Sequence, residues 1–510
     1  MTTLIHAAYA IHADGSVQPD FALVIEGERI VATGSYRDLA AQYPDAEQVG
    51  GAGYLMLPGM INAHDHGRAF GTASLGVADD ILECWLPSLG ALPGIPPELA
   101  AAWEGVQLLK SGVTATAHSH NPATWEGMAA ECPHTLRGYR AAGVRVAFHP
   151  PMVDQNQLVY ADGERFLAAL PPHLRAAARA AMQPPPISHD DYFALCDDLY
   201  RNYHDPESHL VYIQVSPAGG QWCSDELILR SIEWAWRNET RVQMHMLETR
   251  YQREYAHKTW GKSFIRHLDE MGALAASLTL AHMVWVDEDD LPLLALRSVG
   301  IAHNPSSNLR LRSGIAPVAK MRNAGIRVGV GLDGHALDDD QDYLRELRLA
   351  FTLMGLPHPK PLSHRERESR AYRPSLAAGS ESMWSMGTRD AASITFGDAP
   401  LGQLAVGMLA DVVLLDWNSL RGTWSPDGYP AAEEVALFTL HRASRVHVRH
   451  VMVGGQWRLR DGRAAGVDEE VLTEEIRQAL TRVDWDALRA LRREVALLLP
   501  HIRQFYAGWI

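Results

Sequence analysis

The sequence has few cysteines and no long apolar run. Only four cysteines occur among 510 residues, and no two form a C-x-x-C pair, which argues against a cysteine-type zinc site and a thioredoxin-like redox motif. Thiols scattered in this way are typical of a reducing compartment, so we expect a cytoplasmic protein. No run of about 18 apolar residues predicts a membrane span, and the first residues do not resemble a signal peptide.

Positive charge is also in short supply. The formal net charge is -15 at pH 7, whereas binding to nucleic acid or to an anionic membrane needs a basic surface. We therefore expect neither partner. The composition, 47% apolar and 21% charged, is that of an ordinary globular protein, and the length suits one large barrel with an accessory domain.

Both ends of the chain are rich in β-formers. The segment FALVIEGERIVATG (21–34) and the late segment RVHVRHVMVGGQWRLRDG (445–462) each contain a turn signal between two strand-like runs. We predict a small β-sandwich domain built from residues 1–55 together with 400–465. Residues 466–510 show apolar residues at three-to-four spacing and are predicted to form a C-terminal helical segment.

Residues 56–399 alternate between strand-like and helix-like segments. Near-continuous apolar runs are typical of buried parallel strands, and eight of them separated by helical patterns predict a (β/α)8 barrel, an α/β fold. The eight runs cover 54–66, 112–120, 143–150, 209–217, 241–248, 277–284, 299–307 and 325–334.

Polar residues end several of these runs, at the face where such barrels build active sites. His64 and His66 are two residues apart, so on a strand both imidazoles point the same way. His245, His282 and Asp333 end later strands. Imidazoles with a carboxylate suit a divalent ion such as zinc, with a position left for water.

An acid–base group must also move protons if such an ion activates water. Glu248 and Asp333 are the available carboxylates, and His282 is the available imidazole. For Glu248 the alternative is a solvated loop acid or a helix cap.

The motifs LPGMINAHDH, H-x-x-E from His245 to Glu248, AHMV, HNPSSNLRLRSGIAPV and GLDG resemble the amidohydrolase superfamily. The branch of cytosine deaminase, guanine deaminase and triazine hydrolase is the most similar in pattern. By position, the resemblance implies that His64, His66, His245 and Asp333 bind the metal. It also implies that Glu248 shuttles protons, that His282 bonds the attacking water or the substrate, and that Asp333 takes the first proton.

The resemblance further bears on the number of metal ions. Relatives with two metals use a carboxylated lysine at the end of strand four, and here that strand, LVYIQVSP, has none. We therefore expect one divalent ion, zinc or else iron. His118 and His120 depart from the usual pattern of the branch: they could bind substrate, extend the metal site or be structural.

Other residues near the strand ends are candidates for substrate binding. Aromatic faces suit a planar heterocycle and guanidinium groups suit a carboxylate or carbonyl, but packing or structural pairing is the alternative for each. The candidates are Trp85, Tyr160, Trp222, Asn304, Arg68, Arg310 and Arg312.

A dinucleotide fingerprint is matched by Gly329-x-Gly331-x-x-Gly334, but the acids that follow it are too near to be the ribose-binding residue expected about 20 positions further on. These glycines are interpreted as packing positions in the barrel. The nearby acids Asp338, Asp339, Asp340 and Asp342 are predicted to cap the helix that follows.

Together these features predict a metal-dependent hydrolase of non-peptide C–N bonds in which metal-activated water attacks a ring carbon. Deamination of a heterocyclic amidine, such as a nucleobase, pterin or triazine, is expected. The alternatives are hydrolysis of a cyclic or linear amide, removal of chloride or an alkylamine from a triazine, and a catalytically silent binding barrel. A homodimer is the expected assembly.

Overall fold

The computed structural model describes residues 2–68, 70–354, 376–426 and 428–509. Eighteen strands occur in these ranges. In chain order they are β1 (Thr2–Ile11), β2 (Val17–Glu26), β3 (Arg29–Ser35), β4 (Glu47–Pro58), β5 (Met60–Asn62), β6 (Val113–Ser119), β7 (Arg145–His149), β8 (Pro151–Met152), β9 (Val211–Ile213), β10 (Ser216–Pro217), β11 (Val242–Met246), β12 (Leu278–His282), β13 (Gly300–His303), β14 (Val328–Val330), β15 (Val412–Asp416), β16 (Val448–Val453), β17 (Gln456–Arg460) and β18 (Arg463–Ala464).

The helices lie between the strands and after them. In chain order they are Tyr36–Gln42, Leu82–Leu89, Pro97–Lys110, Met128–Ala142, Gly163–Ala169, Arg175–Ala181, His189–Tyr203, Asp225–Arg237, Arg250–Trp260, Phe264–Glu270, Leu291–Leu296, Pro305–Arg310, Val318–Asn323, Tyr343–Met354, Leu376–Gly387, Arg389–Phe396, Trp417–Arg421, Val435–Arg442, Glu469–Thr481 and Trp485–Ala507. Within the described ranges, none is both long and apolar enough to cross a lipid bilayer.

Eight parallel strands form the barrel. They make two four-stranded sheets, β5-β6-β7-β9 and β11-β12-β13-β14. The sheets meet at one edge through a parallel bridge between Val215 and Val242. At the other edge the Ala63 N–H donates to the Val330 carbonyl at 2.9 Å. The predicted (β/α)8 fold is confirmed, and each of the eight strands lies within one of the eight predicted runs.

The first predicted run divides between two sheets. Its residues up to Pro58 belong to β4, which pairs with β15 of the terminal sheet, whereas Met60–Asn62 enters the barrel. Gly59 lies between the two parts, where an added Cβ would be 2.3 Å from Thr114 and 2.8 Å from Asp411. The sequence showed one continuous apolar run because both parts are buried.

The helix Arg389–Phe396 closes the N-terminal end of the barrel. The Ile394 carbonyl accepts hydrogen bonds from Arg241 Nε at 2.7 Å and Thr279 Oγ1 at 2.6 Å. Space for this helix comes from Gly329, where an added Cβ would lie 2.9 Å from Ala391 Cα. Among the described residues, this helix therefore covers the N-terminal end of the barrel.

The two chain ends build one eight-stranded sheet with the order β18-β17-β16-β15-β4-β1-β2-β3. β15 is antiparallel to β4, so strands from opposite ends of the chain are neighbours at its centre. The predicted hairpin turns at Gly454 and Gly455, which have φ of +54° and +74°. Such positive angles favour glycine and produce the tight turn of a two-residue hairpin.

The C-terminal segment is helical, and its two helices pack against different parts of the barrel. Helix Glu469–Thr481 contacts helix Pro97–Lys110, and helix Trp485–Ala507 contacts helix Leu82–Leu89. Leu498, Ile502 and Tyr506, spaced four residues apart, form the buried stripe of the last helix. This helix thereby supports an element at the open end of the barrel.

Candidate active site

Four histidines and one aspartate converge at the C-terminal ends of the barrel strands. Asp333 Oδ1 lies 3.2 Å from His64 Nε2 and 3.1 Å from His66 Nε2. His66 Nε2 also lies 3.1 Å from His245 Nε2, and His282 Nε2 lies 3.8 Å from Asp333 Oδ2. The five side chains belong to segments far apart in the sequence, so the barrel itself assembles the cluster.

The ligand atoms of this cluster lie close enough to share one ion. Those of His64, His245, His282 and Asp333 are all within 4.8 Å of one another. His66 is nearer to Asp333 than His282 is, and it also touches His245. His66 therefore lies against this group, in contact with two of its members.

In each of the four imidazoles, Nε2 faces the cluster and Nδ1 is hydrogen-bonded to an oxygen outside it. The acceptors of the Nδ1 groups are Gln243 Oε1 for His64 (2.6 Å), the Ser119 carbonyl for His66 (2.9 Å), the Ala218 carbonyl for His245 (2.6 Å) and Asn308 Oδ1 for His282 (2.9 Å). Nδ1–H bonded outward leaves the Nε2 lone pair facing the centre, which is the arrangement of metal-binding histidines.

The electrostatics suit a cation. Burial lowers the pKa of His66 to about 3 and that of His245 well below its ordinary value. Burial also lowers the pKa of His64, but contact with Asp333 more than offsets it and raises the pKa overall. Burial would raise the pKa of Asp333, yet hydrogen bonds with His64 and His66 hold it well below the ordinary value. The neutral imidazoles of His66 and His245 beside the Asp333 carboxylate are donors that fit a divalent metal.

Local backbone strain accompanies the cluster. Asp333 and His282 have φ of +59° and +76°, in the left-handed region that non-glycine residues rarely adopt. The Asp333 N–H donates to the His64 carbonyl at 2.9 Å, which fixes the two strand ends against each other. Strain of this kind concentrates at functional sites.

Glu248 lies beside the cluster and is buried. Its Oε2 is 3.7 Å from His282 Nε2, and its Oε1 accepts from Ser313 Oγ at 3.4 Å. Burial, with the nearby charge of Asp333, raises the pKa of Glu248 well above the ordinary value. A buried carboxyl group with a raised pKa is suited to acid–base chemistry.

Three further predicted residues lie next to this cluster. The Arg68 guanidinium is 5.1 Å from the Trp85 ring centre, and the charges of Asp333, Asp65 and Glu248 act on it. Trp85 lies on the helix Leu82–Leu89, and its ring centre is 5.1 Å from that of His335. Asn304 Nδ2 is 3.4 Å from both ring nitrogens of His282.

Tyr160 and Trp222 form an aromatic pair, with ring centres 6.1 Å apart. The Tyr160 hydroxyl donates to Glu83 Oε1 at 2.9 Å. Both rings are buried, and Trp222 lies on a short 3-10 helix, Gly220–Trp222, after β10. Tyr160, Trp222 and Glu83 therefore lie together at the open end of the barrel, and we call this group the wall of the site.

His118 and His120 form a second histidine pair behind His66. His118 Nδ1 bonds the Tyr139 hydroxyl at 2.8 Å, and its ring stacks on Phe148 at 5.3 Å. His120 Nε2 lies 3.5 Å from Glu131 Oε2. In the described part of the chain these residues make no metal-binding group of three or more, so their contacts are those of a packed polar cluster.

The two remaining candidate arginines, Arg310 and Arg312, make no contact with the metal cluster among the contacts of the described residues. Arg310 Nε and Nη2 donate to Asp79 at 2.9 and 3.1 Å, and Nη1 donates to the Ala336 carbonyl and to Asp339. Arg312 is exposed. Structural pairing, the alternative considered for Arg310, occupies most of its donors.

The structure also brings in residues that sequence reasoning missed. Gln243 holds His64 through Oε1 while its Nε2 donates to the Ala63 carbonyl at 2.9 Å. It precedes His245 by two residues on β11, so strand alternation would have placed both on one face. Glu83 lies in the long connection after β5, where no periodicity indicates which side chains turn inward.

The comparisons with known proteins agree with this geometry. The sequence profile of the amidohydrolase family matches residues 55–458, and a profile of the bacterial imidazolonepropionase-like composite domain matches 22–46. The chain is 27% identical over 437 residues to the 5'-deoxyadenosine deaminase of Methanothermobacter thermautotrophicus, covering 84% of this chain and 88% of that protein. It is 28% identical over 485 residues to the 8-oxoguanine deaminase of Pseudomonas aeruginosa, covering 91% and 95%.

Solved structures show the same fold. A zinc-bound adenosine deaminase from Xanthomonas campestris superposes with a TM-score of 0.74 at 23% identity, covering 96% of this chain and 98% of that one. A zinc complex of the atrazine chlorohydrolase of Arthrobacter aurescens superposes with a TM-score of 0.72 at 21% identity, covering 94% and 100%. Since the family profile spans most of the sequence and the barrel agrees with it, this chain belongs to the amidohydrolase family.

Proposed function

We propose that this protein is a metal-dependent aminohydrolase that releases ammonia from a heterocyclic amidine such as a nucleobase, pterin or triazine. The observation that carries the proposal is the convergence of four imidazoles and Asp333 beside the buried carboxyl of Glu248. The related deaminases named above, which align over most of this chain, support ammonia as the leaving group.

The metal is held by His64, His66, His245 and Asp333 in this proposal, with zinc preferred and iron as the second candidate. Zinc accompanies the two solved structures of the same fold. When bound, such an ion lowers the pKa of water from about 15.7 to about 7 and so supplies a nucleophile at neutral pH. Gln243 and the Ser119 and Ala218 carbonyls orient the imidazoles.

The proton transfers are assigned to three side chains. Asp333, whose pKa is held low, is ionised and takes a proton from the attacking water. Glu248, whose pKa is raised by burial, is assigned the transfer of a proton toward the departing nitrogen. His282, 3.7 Å from Glu248, presents its Nε2 lone pair to the centre and accepts a hydrogen bond from the attacking water, which orients that water.

A substrate panel tests the reaction. Zinc-loaded protein is offered nucleobases, nucleosides, pterins, triazines and cyclic amides, and the products are scored for ammonia, chloride, alkylamine and new carboxylate. Ammonia from a ring amidine is the expected product. The fold shared with the atrazine chlorohydrolase favours chloride release as the second candidate, and chloride or carboxylate without ammonia would overturn deamination.

The proton-transfer assignment has its own test. Glu248→Gln keeps the shape of the side chain but cannot shuttle a proton, so kcat is expected to fall about 100-fold or more. Glu98→Gln, an exposed acid outside the site, is the matched control and retains activity. A Glu248→Gln enzyme with unchanged kcat would contradict the assigned role.

Metal content tests the binding site independently of activity. Elemental analysis is expected to find about one zinc or iron per chain in the parent protein, and little in His66→Ala. His134→Ala, which removes an exposed histidine paired with Glu98, serves as the matched control. Equal metal content in both variants would overturn the site. The homodimer and the cytoplasmic location stay predictions, and light scattering tests the first.

A further inference from the structure

Glu83 is a buried carboxyl group at the open end of the barrel that the proposed chemistry does not use. It lies on helix Leu82–Leu89 and is 3% exposed. Trp85, on the same helix, contacts Arg68 and His335, which follow His66 and Asp333 by two residues each. The helix therefore packs directly against the catalytic cluster, and Glu83 is part of its surroundings.

One oxygen of Glu83 is fully engaged by the protein. Tyr160 Oη donates to Oε1 at 2.9 Å, and Thr249 Oγ1 donates to the same atom at 2.5 Å. Thr249 directly follows Glu248, and the charges of Glu83 and Glu248 act on each other. Glu83 thus belongs to the wall that carries the proton-transferring residue.

The other oxygen of Glu83 is buried but has no hydrogen-bond partner among the described residues. No arginine or lysine in the described ranges forms an ion pair with it. The indole nitrogens of Trp85 and Trp222, on the same wall, are likewise buried and unpartnered. Because buried polar atoms are normally satisfied, unpaired ones gathered beside a catalytic cluster are suited to contact a bound substrate.

The position of Glu83 Oε2 is fixed by residues that pack against Tyr160. The Tyr160 N–H donates to Tyr506 Oη at 2.9 Å, and the two rings pack edge to face at 5.2 Å. Tyr506 is fully buried on the C-terminal helix. Two hydroxyl donors on Oε1, one of them braced in this way, hold Oε2 in a single orientation, which is what specific recognition requires.

We propose that Glu83 Oε2 accepts a hydrogen bond from an N–H or O–H group of the substrate on the side away from the reacting carbon. This inference rests on the proposed deaminase function and narrows its substrate class. It favours heterocycles with a polar donor at the periphery over fully alkylated rings. That donor is either a ring N–H of a free base or a hydroxyl of an attached sugar.

The test compares matched substrates on zinc-loaded full-length protein. For the sugar, the pair is adenosine and its dideoxy analogue without ribose hydroxyls on the ring. For the base, the pair is 8-oxoguanine and its N-methylated analogue. In the parent protein, kcat/KM is expected to fall about 10- to 100-fold when the relevant donor is removed, and the pair that shows this fall identifies the source of the donor.

The second part of the test uses the variant Glu83→Gln. Its side-chain carbonyl oxygen can still accept hydrogen bonds from Tyr160 and Thr249. Its amide nitrogen, however, puts a hydrogen-bond donor where Oε2 accepts in the parent protein. We expect kcat/KM for the donor-bearing substrate to fall about 10- to 100-fold, mainly through a higher KM, with little further loss for the analogue without the donor. Zinc content and circular dichroism are expected to match the parent. Glu164→Gln, at an exposed surface acid, is the control.

The outcomes separate the inference from the function. If the parent protein deaminates one of these substrates but Glu83→Gln stays within about twofold of it, the inference fails and the function stands. Equal losses for both members of a pair would also overturn it, since they indicate a purely structural role. If the variant does not fold, the parent comparison decides, and equal kcat/KM for a pair overturns the inference for that donor. Absence of ammonia release from every panel member overturns the proposed function and the inference together.

Discussion

Single hydrogen bonds decide the chemistry of the metal cluster. Each cluster imidazole donates through Nδ1 to an oxygen outside the cluster, so its Nε2 faces the centre. Two of those oxygens are main-chain carbonyls and two are side-chain amides. Only the amides, Gln243 and Asn308, can be altered by substitution without rebuilding the backbone.

Substitution of Gln243 is therefore the most direct test of the oxygens that hold the imidazoles in place. We expect Gln243→Leu to weaken metal affinity about 10- to 100-fold, because His64 loses the acceptor that fixes its orientation. Competition with a chromogenic chelator measures the affinity. Gln403→Leu, at a partly buried glutamine near the terminal sheet, is the matched control, and equal affinities of the two variants would contradict the role.

How far the sequence predicts such residues depends on their local pattern. His64, His66, His245, His282 and Asp333 could be found because each ends an apolar run. Gln243 lies two residues before His245 on the same strand, so the alternation of side chains along a strand could have predicted it. Glu83, Tyr506 and Ser313 could not be found, because their positions depend on how long connections and the C-terminal helix fold back onto the barrel.

At the scale of elements, the barrel is tied to the terminal sheet by a buried ion pair. Arg145 begins β7, and Asp411 precedes β15. Arg145 Nε and Nη2 each donate to an Asp411 oxygen at 2.9 Å, with both side chains 1% exposed. The Gly454 N–H also donates to Asp411 at 2.8 Å, so this carboxylate joins the barrel, β15 and the hairpin turn.

Asp411→Ala is expected to destabilise the protein by about 3–5 kcal/mol, because it leaves the buried Arg145 charge unpaired. Arg145→Met combined with Asp411→Leu removes both charges and is expected to recover much of this loss. Chemical denaturation followed by tryptophan fluorescence measures both effects. Asp461→Ala, at an exposed acid, provides the control, and a double variant no better than Asp411→Ala would contradict the argument.

The sequence predicts where the strands lie more directly than it predicts which sheet each strand joins. β4 and β5 are one apolar run in the sequence, yet they separate at Gly59. Hydropathy predicts that both parts are buried but carries no information about which sheet each joins. The sheet is determined by tertiary partners, here β15 for the first part and β6 for the second.

Over the whole molecule, both chain ends converge on the barrel. The terminal sheet packs on one side, and the last helix braces the wall that contains Glu83. Buried acids are spread through the fold rather than confined to the metal cluster, and Glu104 and Glu346 are further examples. Such groups make the stability of the entire fold depend on pH.

Glu346 gives the clearest case of this dependence. It is buried on helix Tyr343–Met354 and accepts hydrogen bonds from the Ser306 N–H, at 2.8 Å, and the Ser306 hydroxyl. Burial raises the pKa of Glu346 to about 8. Between the unfolded value of about 4.3 and this folded value, the native protein binds a proton that the unfolded chain releases, so stability falls as pH rises through that window.

Glu346→Gln removes the proton exchange while keeping an acceptor for the Ser306 N–H and a donor for its hydroxyl. The parent and the variant are therefore expected to have similar urea midpoints near pH 5 and to diverge toward pH 8, where the variant is more stable by up to a few kcal/mol, since one group contributes at most about 1.4 kcal/mol per pH unit. Glu98→Gln, at an exposed acid, should follow the parent at every pH. Parallel pH profiles for Glu346→Gln and the parent would show that Glu346 exchanges no proton on unfolding.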